Sequence, residues 1–282
     1  MFRAVLVLAL LCCVFSCHGK SVSFHEGQNP CTRESLQAKV NVYIDSLKRG
    51  DSSIMPLIPR AKYIENRKET SFEEGVWQEP LVVDFHRSLL DTELCETYTE
   101  IISASGSHPY VIGTRLKIAG DRVAEVEALV TDEDDWLFNA SNYLKYSSQE
   151  NWSVLPPEMR SDRQTLIRVA NAYFDVFKDF SSANEVPWNI PCARLEGGMY
   201  TNPENKPDAS CTEGPPPEGS VEITNRRFIV DVDMGTVVGL ANFGDENGWP
   251  DSHIFRLEDG KMRFIHTLTV CPNGCDFPSP QE

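Results

Sequence analysis

Positive charge is scarce in this chain. Its 282 residues carry 26 Lys and Arg against 42 Asp and Glu, a formal net charge of −16. A surface of that sign repels phosphate backbones and anionic lipid, which argues against nucleic acid or a membrane as partner. Long apolar runs are nearly absent. The one unbroken run, Ala4 to Phe15, falls short of the roughly 20 residues a membrane-spanning helix needs. Also missing are a Gly-X-Ser-X-Gly elbow, a phosphate-binding glycine loop and a His-Glu-X-X-His zinc helix, and Gly235 and Gly244 form no dinucleotide fingerprint. These absences predict chemistry without a cofactor.

What the N-terminus does contain is a secretory signal pattern. Arg3 precedes the apolar run, and Ser16, Cys17, His18 and Gly19 supply small residues suited to cleavage. The expected localisation is therefore secreted. Arg3 is the one charged residue in 1–19, so its loss takes the net charge from −16 to −17. Three of the nine cysteines leave with the signal, and Cys31, Cys95, Cys192, Cys211, Cys271 and Cys275 remain. In an oxidising compartment an even set of six reads as up to three disulfides. Many connectivities are open, and the expected one is Cys31–Cys95, Cys192–Cys211 and Cys271–Cys275. A zinc tetrad lacks a second close Cys or His pair, so no metal is expected. The sequons Asn139-Ala140-Ser141 and Asn151-Trp152-Ser153 fit the same address and predict glycosylation at Asn139 and Asn151.

Periodicity divides the mature chain into two related halves. Leu36, Val40, Tyr43, Ile44 and Leu47 repeat at helical spacing and stop at Gly50; Leu166, Val169, Ala170, Tyr173, Phe174 and Phe177 open the second half the same way. A short strand follows in each, Ala61 to Asn66 and Cys192 to Tyr200. Each half closes on a strand pair joined by a Gly-containing turn: Tyr110 to Ile118 with Arg122 to Val130, and Ser252 to Leu257 with Lys261 to Val270. Arg226 to Val232 and Thr236 to Phe243 predict a further hairpin. The expected organisation is a signal peptide at 1–19, a first half-domain at 20–130, an acidic glycosylated connector at 131–162, a second half-domain at 163–275 and a tail at 276–282.

The stretch Tyr43-Ile44-Asp45-Ser46-Leu47-Lys48-Arg49-Gly50-Asp51, followed by Pro56-Leu57-Ile58-Pro59 and Tyr63-Ile64-Glu65-Asn66, resembles the start of a SnoaL-like domain of the nuclear-transport-factor-2-like superfamily. A closer resemblance, to an uncharacterised family of secreted, largely fungal proteins, is carried by Pro109 to Thr114, Val186-Pro187-Trp188, Pro191 to Thr201, Asn225-Arg226-Arg227, Pro250 to His253 and Arg263 to Thr267. Asn189 stands where that family usually has Gly. The resemblance implies an α+β fold of two tandem cone-shaped SnoaL-like half-domains, each a helix on a strongly bent antiparallel sheet. Cone domains often dimerise through the open sheet face. Here the two halves are expected to make that contact internally, as a monomeric pseudo-dimer.

Strand parity selects site candidates. Met262, Phe264, His266, Leu268 and Val270 alternate on one face, and His253 shares a face with Phe255 and Leu257. On the strand from Cys192, Arg194, Glu196, Gly198 and Tyr200 alternate. The expected catalytic set is Glu196 or His266 as base, with Tyr200, Arg194 or His253 donating to developing oxyanion charge. Arg194, Arg227, Tyr63 and Glu65 are the substrate-binding candidates, with Tyr63, Glu65 and His86 a poorer set in the first half. Arg227 and Asp231 share a face and an ion pair would explain them. The chemistry expected of such a set is a lyase or isomerase acting on a small apolar carbonyl compound. The alternative is a non-catalytic extracellular protein that binds a small ligand or another protein.

Overall fold

The computed structural model describes residues 31–212, 221–271 and 274–275. The expected signal peptide and tail lie outside them. Helix α1 (Arg33–Arg49) begins where the Thr32 hydroxyl accepts a hydrogen bond from the Ser35 amide, and it ends at Gly50 in the left-handed region, φ +60°. Its apolar stripe, Leu36, Val40, Tyr43, Ile44 and Leu47, is buried. Strands β1 (Leu57–Glu65), β2 (Lys68–Thr70), β3 (Phe85–Asp91), β4 (Glu96–Ser103), β5 (Tyr110–Ala119) and β6 (Arg122–Thr131) form a six-stranded sheet in the order β2-β1-β6-β5-β4-β3. Strands β3 to β6 are an antiparallel meander, and β1 returns parallel to β6.

The second half repeats this order. Helix α3 (Arg163–Asp175), capped by Asp162, precedes β7 (Trp188–Glu196), β8 (Met199–Tyr200), β9 (Ile223–Asp231), β10 (Thr236–Phe243), β11 (Trp249–Glu258) and β12 (Lys261–Thr269), arranged β8-β7-β12-β11-β10-β9. The bulges also correspond: one interrupts the ladder between Lys117 and Ile118, the other between Arg256 and Leu257. The fold is thus α+β with tandem halves. The disulfides are Cys31–Cys95, Cys192–Cys211 and Cys271–Cys275, the pairing expected, and they fit an extracellular protein.

Each long helix covers one face of its own sheet, and the other faces of the two sheets meet. Between them lie Leu89, Tyr98 and Leu129 from the first half and Ile229, Val238, Leu240, Ile254 and Phe264 from the second. Reciprocal contacts tie the edges. Arg33 donates to Asp231 at 2.6 Å and Arg163 to Asp91 at 2.8 Å. Asp231 also accepts from the Leu90 amide and Asp91 from the Val230 amide, both at 2.9 Å. Asp231 therefore answers Arg33 of the other half and not Arg227.

His86 lies on β3, whose hairpin with β4 lacks clear alternation because every β4 residue is buried. Two local readings of the sequence differ from the structure. The connector contains a further helix, α2 (Ala140–Ser147), with the Asn139 side chain as its cap. Cys192 to Tyr200 is not one strand: Gly197, at φ +59°, and Gly198 turn the chain so that Leu195 pairs with Tyr200.

Candidate functional site

Sheet pleat and these turns sort the sequence candidates onto opposite sides of the second sheet. Along β7, Cys192, Arg194 and Glu196 face α3; along β11, Asp251, His253 and Phe255 do; along β12, Ile265, Thr267 and Thr269 do. Glu196, Thr267 and His253 are direct neighbours across three strands. His266 points the other way, with Phe264 and Leu268, towards the first half. Met262 does not share their face: the bulge at Arg263 moves it to the α3 side. Tyr200 also faces away from α3, because the Gly197–Gly198 turn reverses the parity.

The α3 side carries a polar floor inside an aromatic shell. Asp251 Oδ2 and His253 Nδ1 are 2.7 Å apart, and Asp251 Oδ1 accepts from the Thr269 hydroxyl at 2.7 Å. In an uncharged ring this contact selects the Nδ1–H tautomer and puts the lone pair on Nε2. The ring lies against Tyr173, Phe174, Phe177 and Phe255, with centroids 5.2–6.2 Å away. Gly239 stands opposite His253, and a Cβ there would come within 2.5 Å of the Phe174 ring; the bare backbone lets that ring reach the sheet. Arg194 Nη2 donates to Glu196. The hydroxyls of Tyr173 and Thr267 are buried and have no hydrogen-bond partner among the described residues. Burial holds the Tyr173 hydroxyl above its ordinary pKa, so it remains an O–H donor.

The first half supplies an internal comparison. Tyr43 and Tyr173 occupy the same position in their helices, and Thr114 and His253 stand equally far before the matched bulges. Glu65 corresponds to Glu196, and Tyr63 to Arg194. In the first half Tyr43 and Thr114 share a hydrogen bond of 2.6 Å, and Tyr63 donates to Glu65, which also accepts from the Val76 amide at 2.9 Å. The two tyrosine hydroxyls are thus satisfied there. In the second half an imidazole replaces Thr114 and the tyrosine is left unbonded.

On the inter-sheet side His266 is clamped between two carboxylates. Nδ1 lies 3.0 Å from Glu100 Oε1 and Nε2 lies 2.6 Å from Glu150 Oε2. Burial alone would lower the His266 pKa, but Glu150 and Glu100 outweigh it and push it up to about 9. Burial likewise opposes the Glu100 charge, yet His266 and Arg87 bring that carboxyl down to about 2. Arg87 donates to Glu100 Oε2 at 3.0 Å and lies over the Trp152 ring at 4.2 Å. Tyr143 of α2 donates to Glu100 at 2.6 Å, and Trp152 to Glu150 at 2.8 Å. Two cations and two anions close on one another here, and both imidazole N–H groups are committed. Tyr200 stacks on Tyr146 with centroids 4.5 Å apart, and burial, with the Glu150 charge nearby, raises its hydroxyl pKa.

The family described as Domain of unknown function (DUF8021) matches residues 159–269. That span runs from just before α3 to the last residue of β12, so it contains the whole polar floor and His266. No curated protein matches the chain. Among the described residues no three His, Cys, Asp or Glu side chains are grouped to hold a metal ion. Arg227 lies at the junction of the halves, where it donates twice to Glu127, at 2.6 and 2.8 Å, and does not reach the floor.

Asp251, Tyr173 and Thr267 were not among the sequence candidates. Tyr173 reads as one more apolar position of a helical stripe, and only its missing partner distinguishes it. Asp251 was legible in principle, since it stands two residues before His253 on one strand and so shares its face.

Proposed function

We propose that the second half is a SnoaL-like cone and that the chain is a secreted, cofactor-independent lyase or isomerase for a small, largely apolar carbonyl compound. One observation carries this reading. On the α3 side of the second sheet, a carboxylate-oriented imidazole lies beside a buried tyrosine hydroxyl with no partner, where the first half has a closed tyrosine–threonine pair. A buried hydroxyl without a partner costs about 1–3 kcal/mol. A carbonyl oxygen in front of Tyr173 would recover that cost. The signal pattern, the sequons and the disulfides support secretion.

In this reading His253 Nε2 takes a proton from the carbon next to the substrate carbonyl. Asp251 stabilises the imidazolium that forms, and the Tyr173 O–H donates to the enolate oxygen. The proton on Nε2 then passes to a leaving hydroxyl, giving dehydration, or to another carbon, giving isomerisation. Arg194 and Glu196 neutralise each other, so the substrate they border carries no net charge. The aromatic shell supplies the apolar wall. His266 is not the base, because at neutral pH it is protonated between two carboxylates.

The test is proton exchange in D2O, followed by NMR, on a panel of small cyclic ketones and β-hydroxyketones. The secreted protein should exchange protons α to the carbonyl. His253→Ala should lose about 10²-fold or more in rate, and Tyr173→Phe a smaller factor. Exchange by His253→Ala at the unaltered rate would remove the proposal. Saturable binding without exchange would replace it with the carrier reading.

A further inference from the structure

The turn between β1 and β2 carries a side chain that leaves its own half. Asn66 and Arg67 form this turn at φ +47° and +66°, with Glu65 and Lys68 paired across it. Asparagine tolerates that left-handed region, whereas arginine is strained there and glycine would not be. The corresponding turn of the second half is Gly197–Gly198, which packs on the backbone of Trp136 to Asn139. An arginine held at a conformational cost points to a use for its guanidinium.

That guanidinium holds the end of the β10–β11 hairpin in the other half. Nη1 donates to Gly248 O at 2.6 Å, and Nη2 shares its protons among Ala241 O at 3.1 Å, Trp249 O at 3.2 Å and Asn242 Oδ1. Asn242 passes the hold inward, because its Nδ2 donates to Asp245 O at 3.2 Å and to Glu246 O at 2.9 Å. Ala241 is the ladder partner of Asp251, and Trp249 stands two residues before Asp251 on β11. The carbonyls that Arg67 holds therefore flank, on both strands, the carboxylate that meets His253 Nδ1 at 2.7 Å. Phe243, opposite Trp249, packs edge-on against Phe177, which touches the His253 ring. Burial lowers the Arg67 pKa and the Asp251 charge opposes that fall, so the two groups sense each other across the hairpin end.

We propose that Arg67 is a positioning residue for the Asp251–His253 pair, supplied by the first half to a site in the second. Its effect on rate rests on the proton-transfer reading of that site. With the hairpin carbonyls fixed, β11 enters the sheet in one place and the Asp251 carboxylate meets Nδ1. Released, the hairpin end frays, and the contact between carboxylate and imidazole loosens with it.

Arg67→Gly in the full chain is the informative variant. It removes the guanidinium and keeps the turn, since Asn-Gly is a favoured hairpin pair. Hydrogen exchange read by mass spectrometry should show the 242–250 amides exchanging about ten-fold faster or more, with β5 and β6 unaltered. NMR of protein carrying isotope-labelled histidine reports the ring nitrogens directly. The His253 ring shifts, identified by their loss in His253→Ala, should move in Arg67→Gly as the Nδ1–H tautomer gives way to a mixture. In the D2O assay kcat should fall several-fold while KM changes little. His253 ring shifts identical to wild type in Arg67→Gly would overturn the inference, whatever the loop amides do. Absence of α-proton exchange in the wild type would instead remove the proton-transfer reading. The ring shifts need no turnover, so they decide the role of Arg67 in either case.

Discussion

At the residue scale the decisive facts are partners, and identical residue types have opposite roles. His253 and His266 lie on neighbouring strands of one sheet. His253 has one carboxylate and, among the described residues, no hydrogen bond at Nε2; His266 has two carboxylates and no nitrogen to spare. The consequence of the second arrangement is a pH dependence of stability. Because the folded pKa of His266 is raised to about 9, its contribution is complete below its ordinary value of 6.5 and is lost as pH rises through about 9. Glu100, lowered to about 2, contributes fully above its ordinary 4.5 and loses that contribution as pH falls through about 2. Thermal unfolding from pH 6 to pH 10 should therefore show a falling alkaline limb in the wild type. His266→Gln should be less stable at pH 6 by about 3 kcal/mol and should flatten that limb; an unaltered limb would show that His266 does not titrate in this way.

At the element scale, turns and bulges decide which face a side chain occupies. The Gly197–Gly198 turn takes Tyr200 away from Glu196, and the bulge at Arg263 separates Met262 from Phe264. Alternation read along an uninterrupted strand cannot detect either. Helix α3 approaches its sheet because Gly239 leaves space for Phe174. Gly239→Ala should push that ring off the floor and destabilise by about 1–3 kcal/mol, read as the urea midpoint. It should also slow the exchange proposed for His253 more than the stability loss alone accounts for. A midpoint equal to wild type would show that α3 can shift without strain.

At the scale of the whole molecule, duplication and asymmetry act together. Arg87 and Arg227 each stand four residues before the aspartate that ends their strand. Each crosses to the other half, Arg87 towards His266 and Arg227 to Glu127. The connector covers the first with α2, Trp152 and Glu150 and leaves the second half-exposed. The cost of truncation should follow that covering. Arg87→Ala should lose about 3–5 kcal/mol, since it leaves Glu100 buried beside fewer cations, and Arg227→Ala about 0–1 kcal/mol. Similar losses, measured by chemical denaturation, would mean that the connector does not exclude water from the network.

The helical stripes, the closing hairpins, the repeat and the three disulfide pairs were legible in the sequence. The first three depend on local periodicity and on residues such as Gly50 and Gly120 whose conformational needs are local, whereas the disulfide pairing was one of many open connectivities. The histidines, Glu196 and Arg194 were legible as candidates for the same reason. Which of them meet was not. Glu100, Glu150 and His266 come from three separated segments, and the unbonded state of Tyr173 depends on an imidazole 80 residues away along the chain. Chain-local rules set each face of a strand. Only the packing of one half on the other, with the connector laid over one edge, decided which charges are buried together and which buried hydroxyls lack a partner among the described residues.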